Sequence, residues 1–198
     1  MFRTVAEELS LMLVSNKIIS IENRKYYIYG IELVFHDLII SFSILTIAIV
    51  TRSVLVSLFF AVPFCVLRAY AGGYHAKTHF KCFCFTMANY LTMLILNRII
   101  IDHKLIVCCV IIGMSTPLII KFAPVEHKNN PLSNEQKEKY KIISMILLIL
   151  IIVVFIITAI FSMVKISFAI SWAVFEVSLL LFPTIHLNRR RKNENIIT

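Results

Sequence analysis

The run from Arg68 to Cys84, R-A-Y-A-G-G-Y-H-A-K-T-H-F-K-C-F-C, concentrates the residue types able to do chemistry. Two of the chain's four glycines, Gly72 and Gly73, are adjacent here, and His75, His79, Cys82 and Cys84 follow. Paired glycines end or break a helix and let another backbone come close, because neither carries a Cβ. A histidine near a thiol suits a Cys-His hydrolase, in which imidazole takes the thiol proton or holds a thiolate-imidazolium pair. Spacing limits which pair does so. His75 and Cys82 are seven residues apart, ~10.5 Å along a continuous helix and out of contact. If His75 is the base, the segment bends between the two and Cys82 lies near a helix start, where the helix N-terminus favours a thiolate. His79 and Cys82, three apart, would be neighbours on one helix. Cys84 lies about 200° around that helix from Cys82, so the two thiols do not share a role. The same residues offer a competing metal reading, H-x3-H-x2-C, but no fourth ligand is evident and no metal is expected. Arg68 serves either as a boundary cation or as a fork of donors for a peptide carboxylate or an oxyanion.

The elements that must position these groups are set by composition. Of 198 residues, 59% are apolar and only 16% charged, and mean hydropathy is +0.86. Ordinary soluble domains hold ~45–50% apolar and ~25% charged residues, so lipid is the solvent this chain is built for. At roughly 20 apolar residues per span there is material for about six spans and little else. Uncharged runs fall at 38–51, 53–67, 82–97, 105–120 and 142–164, followed by 166–188 interrupted by Glu176. Most are short and borrow flanking charged residues; the first helix is expected to start near Ile31 and to take in Glu32, His36 and Asp37, and the third to extend through Arg98 to Ile101. The predicted fold is all-α, a single polytopic membrane domain over 1–198 with about six transmembrane helices.

Lys and Arg divide unequally between alternate segments. Sixteen fall in residues 1–30, the loop around 68–81, the polar loop 121–141 and the basic tail 186–198; only Arg52, Arg98, Lys104 and Lys165 fall in the others. The positive-inside rule then puts both termini and both of those loops in the cytoplasm, and accounts for the net charge of +9 without nucleic acid. Within the cytoplasmic segment 1–30, Phe2, Val5, Leu9, Met12 and Leu13 recur at helical spacing, predicting an N-terminal amphipathic helix at the membrane interface or against the bundle. The beginning lacks the pattern of a cleaved signal peptide, and five cysteines in largely apolar runs do not suggest a disulfide framework.

Arg68-x3-Ala-Gly-Gly-x-His75-Ala-x5-Cys82, with Ala123-Pro124 and then Asn130-Pro131-Leu132, resembles the accessory gene regulator B (AgrB) family of bacterial quorum-sensing membrane proteases. The resemblance covers essentially the whole chain. It implies a cysteine endopeptidase of the inner leaflet acting on a short AgrD-like propeptide. Cys82 would attack and form an acyl-enzyme thioester, His75 would be its base, and Arg68, Gly72 and Gly73 would support them. Acyl transfer to a side chain of the peptide would then close a thiolactone or lactone ring. His79 and Cys84 lie outside the family's core pattern and leave open which His and which Cys act.

Lys137, Lys139 and Lys141 in the polar loop are expected to receive an acidic part of the substrate. Glu32, Asp37 and Glu176 are intramembrane acids; they either orient His75 or line a polar path, or pair with Arg98 or another helix, the last being favoured. The expected partners are the propeptide, the bilayer of a bacterial cell and a second copy of the chain, with no cofactor. The competing function is a small transporter or exporter component in which the acids line a path and the cysteines are structural.

Overall fold

The structure is a computed structural model describing residues 2–73, 78–100, 102–125 and 132–197, and the side chains of these except residues 2, 79 and 184–197. Seven helices follow in order: α1 (Phe2–Ser15), α2 (Arg24–Val50), α3 (Val54–Ala71), α4 (His79–Ile99), α5 (Lys104–Phe122), α6 (Asn134–Ile160) and α7 (Val164–Ile197). Six of them are long and apolar enough to cross a membrane. The all-α, polytopic architecture with one extra N-terminal helix is therefore the one the sequence predicts. α2 begins at Arg24 rather than near Ile31, because Lys25, Tyr26, Tyr27 and Tyr29 extend it through an interfacial stretch of aromatic and basic residues. α1 lies against α2, burying Ala6 and Ser10, and Arg24 ties the two by donating to Ser10 Oγ (3.1 Å) and to the Glu7 carbonyl (3.3 Å).

The chain reverses direction at every turn, so the bundle has two distinct ends. One carries the tight turns 51–53 and 161–163, the end of α4 and the start of α5; the other carries the end of α3, the start of α4 and the end of α5. The two tight turns share one device. Arg52 and Ser162 take positive φ, and the next residue donates back five positions, Ser53 to the Ala48 carbonyl and Met163 to the Thr158 carbonyl. This satisfies helix-end carbonyls that lipid could not.

α7 is the central helix. In the most apolar 18 residues of its spanning part, Val164–Pro183, 72% are buried, against 39% or less of the corresponding window in the other five spans. It packs mainly on α3 and α5. Ala169, Ala173, Ser167 and Ser171 let neighbouring backbones approach, as small residues do between helices in lipid. Their hydroxyls stay satisfied locally: Ser171 donates to the Phe168 carbonyl (2.9 Å) and Ser167 to Thr158 Oγ1 (2.9 Å). The outward faces of the other helices, with Phe42, Val50, Ile99, Met114 and Ile149 exposed, are apolar surface suited to acyl chains.

Candidate functional site

The site is built where α3 stops. Gly72 follows Ala71 with φ +75° and ψ −158°, and its N–H donates to the Arg68 carbonyl (3.0 Å). That backbone region is essentially closed to residues with a Cβ. Gly73 also has positive φ, +139°, and a Cβ there would lie 3.2 Å from Leu180 Cβ of α7. A Cβ on Gly72 would run into the Val125 carbonyl oxygen. Val125 N–H donates to the Ala71 carbonyl (3.0 Å) and forms an isolated parallel bridge with Gly72. The segment Ala123–Val125, which leaves α5 through a cis Ala123–Pro124 peptide, is thus laid against the end of α3 by the absence of side chains at the glycine pair. The close backbone approach expected of that pair is realised, and Val125 is the partner.

One turn before the glycines, Arg68 Nη2 lies 3.7 Å from Cys82 Sγ. The Arg68 guanidinium also lies over the Phe64 ring, 5.4 Å from its centroid. Cys82 is buried in the first turn of α4, and its N–H donates to the Thr78 carbonyl (3.2 Å). Thr78 caps that helix, its hydroxyl accepting from Lys81 N–H (3.4 Å). α3 has ended by Gly72 and α4 starts at His79, so Cys82 lies near a helix start as expected; the bend expected between His75 and Cys82 falls on a stretch that includes residues outside those described. His75 itself lies outside the described residues, as does the His79 side chain, so both the Cys-His pairing and the metal arrangement rest on groups beyond them. Among the described residues no cluster of His, Cys, Asp and Glu could hold a metal. Cys84 is exposed, on a different face of α4 from Cys82, and Cys65, Cys108 and Cys109 are free thiols as well.

Glu176 of α7 is fully buried, and neither carboxylate oxygen has a hydrogen-bond partner among the described residues. The groups that act on it electrostatically are Arg68 and Cys82. Arg98, the pairing partner weighed for the intramembrane acids, is at the other end of the bundle, where it donates to the Thr51 carbonyl (3.1 Å). Arg68 also bears electrostatically on Tyr29 of α2 and Cys65 of α3. It is the cation of a polar cluster drawn from four helices, and ionisable groups kept at membrane depth are the usual mark of a working site.

Beside this cluster opens a cleft of about 290 Å³, lined by Tyr29, Asp37, Arg68, Gly72, Val125 and Tyr140 among others. Tyr140 meets Tyr70 edge-on, with centroids 5.6 Å apart. Tyr140 is in α6 because that helix starts at Asn134, capped by a reciprocal pair in which Gln136 N–H donates to Ser133 Oγ (3.2 Å) and Ser133 N–H donates to Gln136 Oε1 (3.0 Å). The stretch 134–141, part of the polar segment 121–141 that reads from sequence as an ordered turn or a short hairpin of helices, is two turns of helix. Lys137 and Lys141 share the face of α6 one turn apart, while Lys139 is ~200° around from Lys137. Tyr29, Tyr70 and Tyr140 were not singled out from sequence; the Ser-Asn-Glu-Gln capping signature at 133–136 was the signal that puts Tyr140 on a helix.

Six helices long and apolar enough to cross a membrane, with a half-buried Arg68 beside the buried Cys82 thiol and a glycine break pinned by Val125, define a multi-pass membrane protein. The sequence model described as Accessory gene regulator B matches residues 6–182, and the chain belongs to that family. It is 27% identical over 118 residues to Accessory gene regulator protein B of Staphylococcus haemolyticus (strain JCSC1435), covering 60% of this chain and 62% of that protein. It is 28% identical over 127 residues to an AgrB-like protein 2 of Clostridium perfringens (strain 13 / Type A), covering 60% and 58%. The matches thus span about three fifths of the length of these curated relatives. No solved structure matches the chain.

Proposed function

We propose that this chain acts in the agr type of quorum sensing as a cysteine endopeptidase that cleaves a short AgrD-like propeptide and keeps the acyl part for ring closure. The observation that carries this reading is the buried Cys82 thiol in the first turn of α4 with the Arg68 guanidinium 3.7 Å from its sulfur. A structural cysteine in an apolar bundle has no use for a cation; a nucleophile does, because the thiolate attacks and a nearby positive charge favours it.

In this reading His75 takes the Cys82 proton and the sulfur attacks the scissile carbonyl. The tetrahedral oxyanion collapses to a thioester as the leaving amine takes the proton back from His75. A thiol or hydroxyl of the bound acyl segment then attacks the thioester, closing the ring and returning the thiol to Cys82. Tyr29, Tyr140 and Val125 line the cleft that would hold the peptide beside Arg68, and burial at membrane depth would spare the thioester from water. The site end faces the cytoplasm, as the distribution of basic residues supports.

Cleavage of the cognate propeptide in vesicles containing each variant tests the assignment. Cys82→Ala and His75→Ala should each abolish it, with the double variant no worse than either single because the two act as a unit. Cys84→Ala and His79→Ala should retain it. A dead His79→Ala beside an active His75→Ala would overturn the assignment of the base, and an active Cys82→Ala would overturn the reading altogether.

A further inference from the structure

Only four of the chain's Lys and Arg residues, Arg52, Arg98, Lys104 and Lys165, fall in segments toward the end opposite Cys82. Basic residues at that end run against the bias that orients the chain, so those present need a local reason. Three of the four line one cavity of about 970 Å³ at the ends of α4, α5 and α7.

Lys104 is only 7% exposed. Its ammonium donates to the Asn97 carbonyl (2.5 Å) and to Asn97 Oδ1 (3.2 Å), which uses two of its three donors. Asn97 in turn donates from Nδ2 to the Lys165 carbonyl (2.9 Å), fixing the two lysine-bearing turns against each other. Among the described residues no carboxylate pairs with Arg98, Lys104 or Lys165. Lys165 bears on Lys104 with like charge. A desolvated ammonium beside a second cation is costly unless an anion joins them. Besides the cations, the wall carries Asn97, His103 and Ser162 and an apolar side on which Leu55 and Leu105 are exposed. A cationic pocket with one apolar wall, set at the ends of spanning helices, matches an amphiphile lying in the same plane.

We propose that this cavity binds the phosphate headgroup of an anionic phospholipid, with its acyl chains along Leu55 and Leu105. The site is separate from the Cys82 cluster and does not depend on the proposed peptidase reading.

Native mass spectrometry of the full chain in a non-ionic detergent tests it, with phosphatidylglycerol, phosphatidylcholine and glycerol 3-phosphate titrated in parallel. Arg98 and Lys165 are exposed, so Arg98→Gln and Lys165→Gln remove charge without opening the core. Phosphatidylglycerol should be held more tightly than phosphatidylcholine. Each variant should weaken it roughly fivefold and the pair about 25-fold, while Lys17→Gln, at the other end, leaves it unchanged. Lys104→Met should weaken it at least as much where that variant folds. Equal retention of the two lipids, or unchanged phosphatidylglycerol binding in the Arg98→Gln, Lys165→Gln double variant, would overturn the proposal. Glycerol 3-phosphate binding as tightly as the lipid would overturn the lipid as the source of the anion.

Discussion

Replacing Gly72 by Ala tests whether the glycine pair is the clamp that joins the α5–α6 connection to the thiol site. At φ +75° and ψ −158° a residue with a Cβ is strained by about 1–3 kcal/mol. The new methyl would also meet the Val125 carbonyl oxygen, a backbone atom that cannot rotate aside. Relief requires Ala123–Val125 to lift away, breaking the Val125 N–H bond to the Ala71 carbonyl, a further ~0.5–1.5 kcal/mol. Together these give ~1.5–4.5 kcal/mol, or a melting point lower by roughly 3–18 °C in a chain of this size. Unfolding in detergent can be followed with a thiol-reactive dye, because Cys82 and Cys108 are buried. Gly113→Ala is the control: nothing lies within 4 Å of its Cβ position inside α5, so it should be neutral or stabilising by up to ~1 kcal/mol. Propeptide cleavage should fall with Gly72→Ala, since Gly72 and Val125 line the cleft beside Arg68. A Gly72→Ala protein that melts within about 2 °C of the parent would refute the clamp, because the strain and the lost hydrogen bond together exceed that shift.

The α6 lysines should separate by face: Lys137→Gln and Lys141→Gln weaken processing more than Lys139→Gln, with a larger fraction lost at low salt than at high salt, and equal effects at all three would remove the face argument. Tyr90 is fully buried with its hydroxyl 2.7 Å from Ser57 Oγ. Tyr90→Phe and Ser57→Ala should each lower stability by about 1 kcal/mol and together cost little more than either alone, because removing both partners strands no polar group; strict additivity in chemical denaturation would contradict that coupling. Cysteines introduced at positions 15, 130 and 195 should label from the cytoplasmic side and one at position 52 from the opposite side. Labelling of 15 and 195 from different sides would rule out an even number of crossings.

Some of this protein was determined by sequence alone. The composition demands lipid, and the apolar runs mark the six crossings because each spanning helix must satisfy its own backbone, a local requirement that local sequence can state. The glycine pair ending α3, the place of Cys82 near a helix start and the membership of the AgrB family were legible for the same reason, being carried by neighbouring residues with fixed spacing. Helix ends were less so: α2 runs back to Arg24 through an interfacial stretch of tyrosines and basic residues, and α6 starts at a capping pair within a polar stretch.

Tertiary structure alone decided what those local features meet. Val125 closes on Gly72 across more than fifty residues, and Glu176 approaches Arg68 and Cys82 from the far end of the chain. Sequence offers Arg98 as a partner for a buried acid, and the packing of α7 against α3 instead puts Glu176 under the influence of Arg68. Lys104 and Lys165 share a cavity for a similar reason, their turns being brought together at one end by Asn97. Helix periodicity fixes which residues share a face, but a face has no partner until the helices are packed, because between helices in lipid the choice is made by close steric fit and interhelical hydrogen bonds rather than by hydrophobicity, which every candidate face satisfies alike.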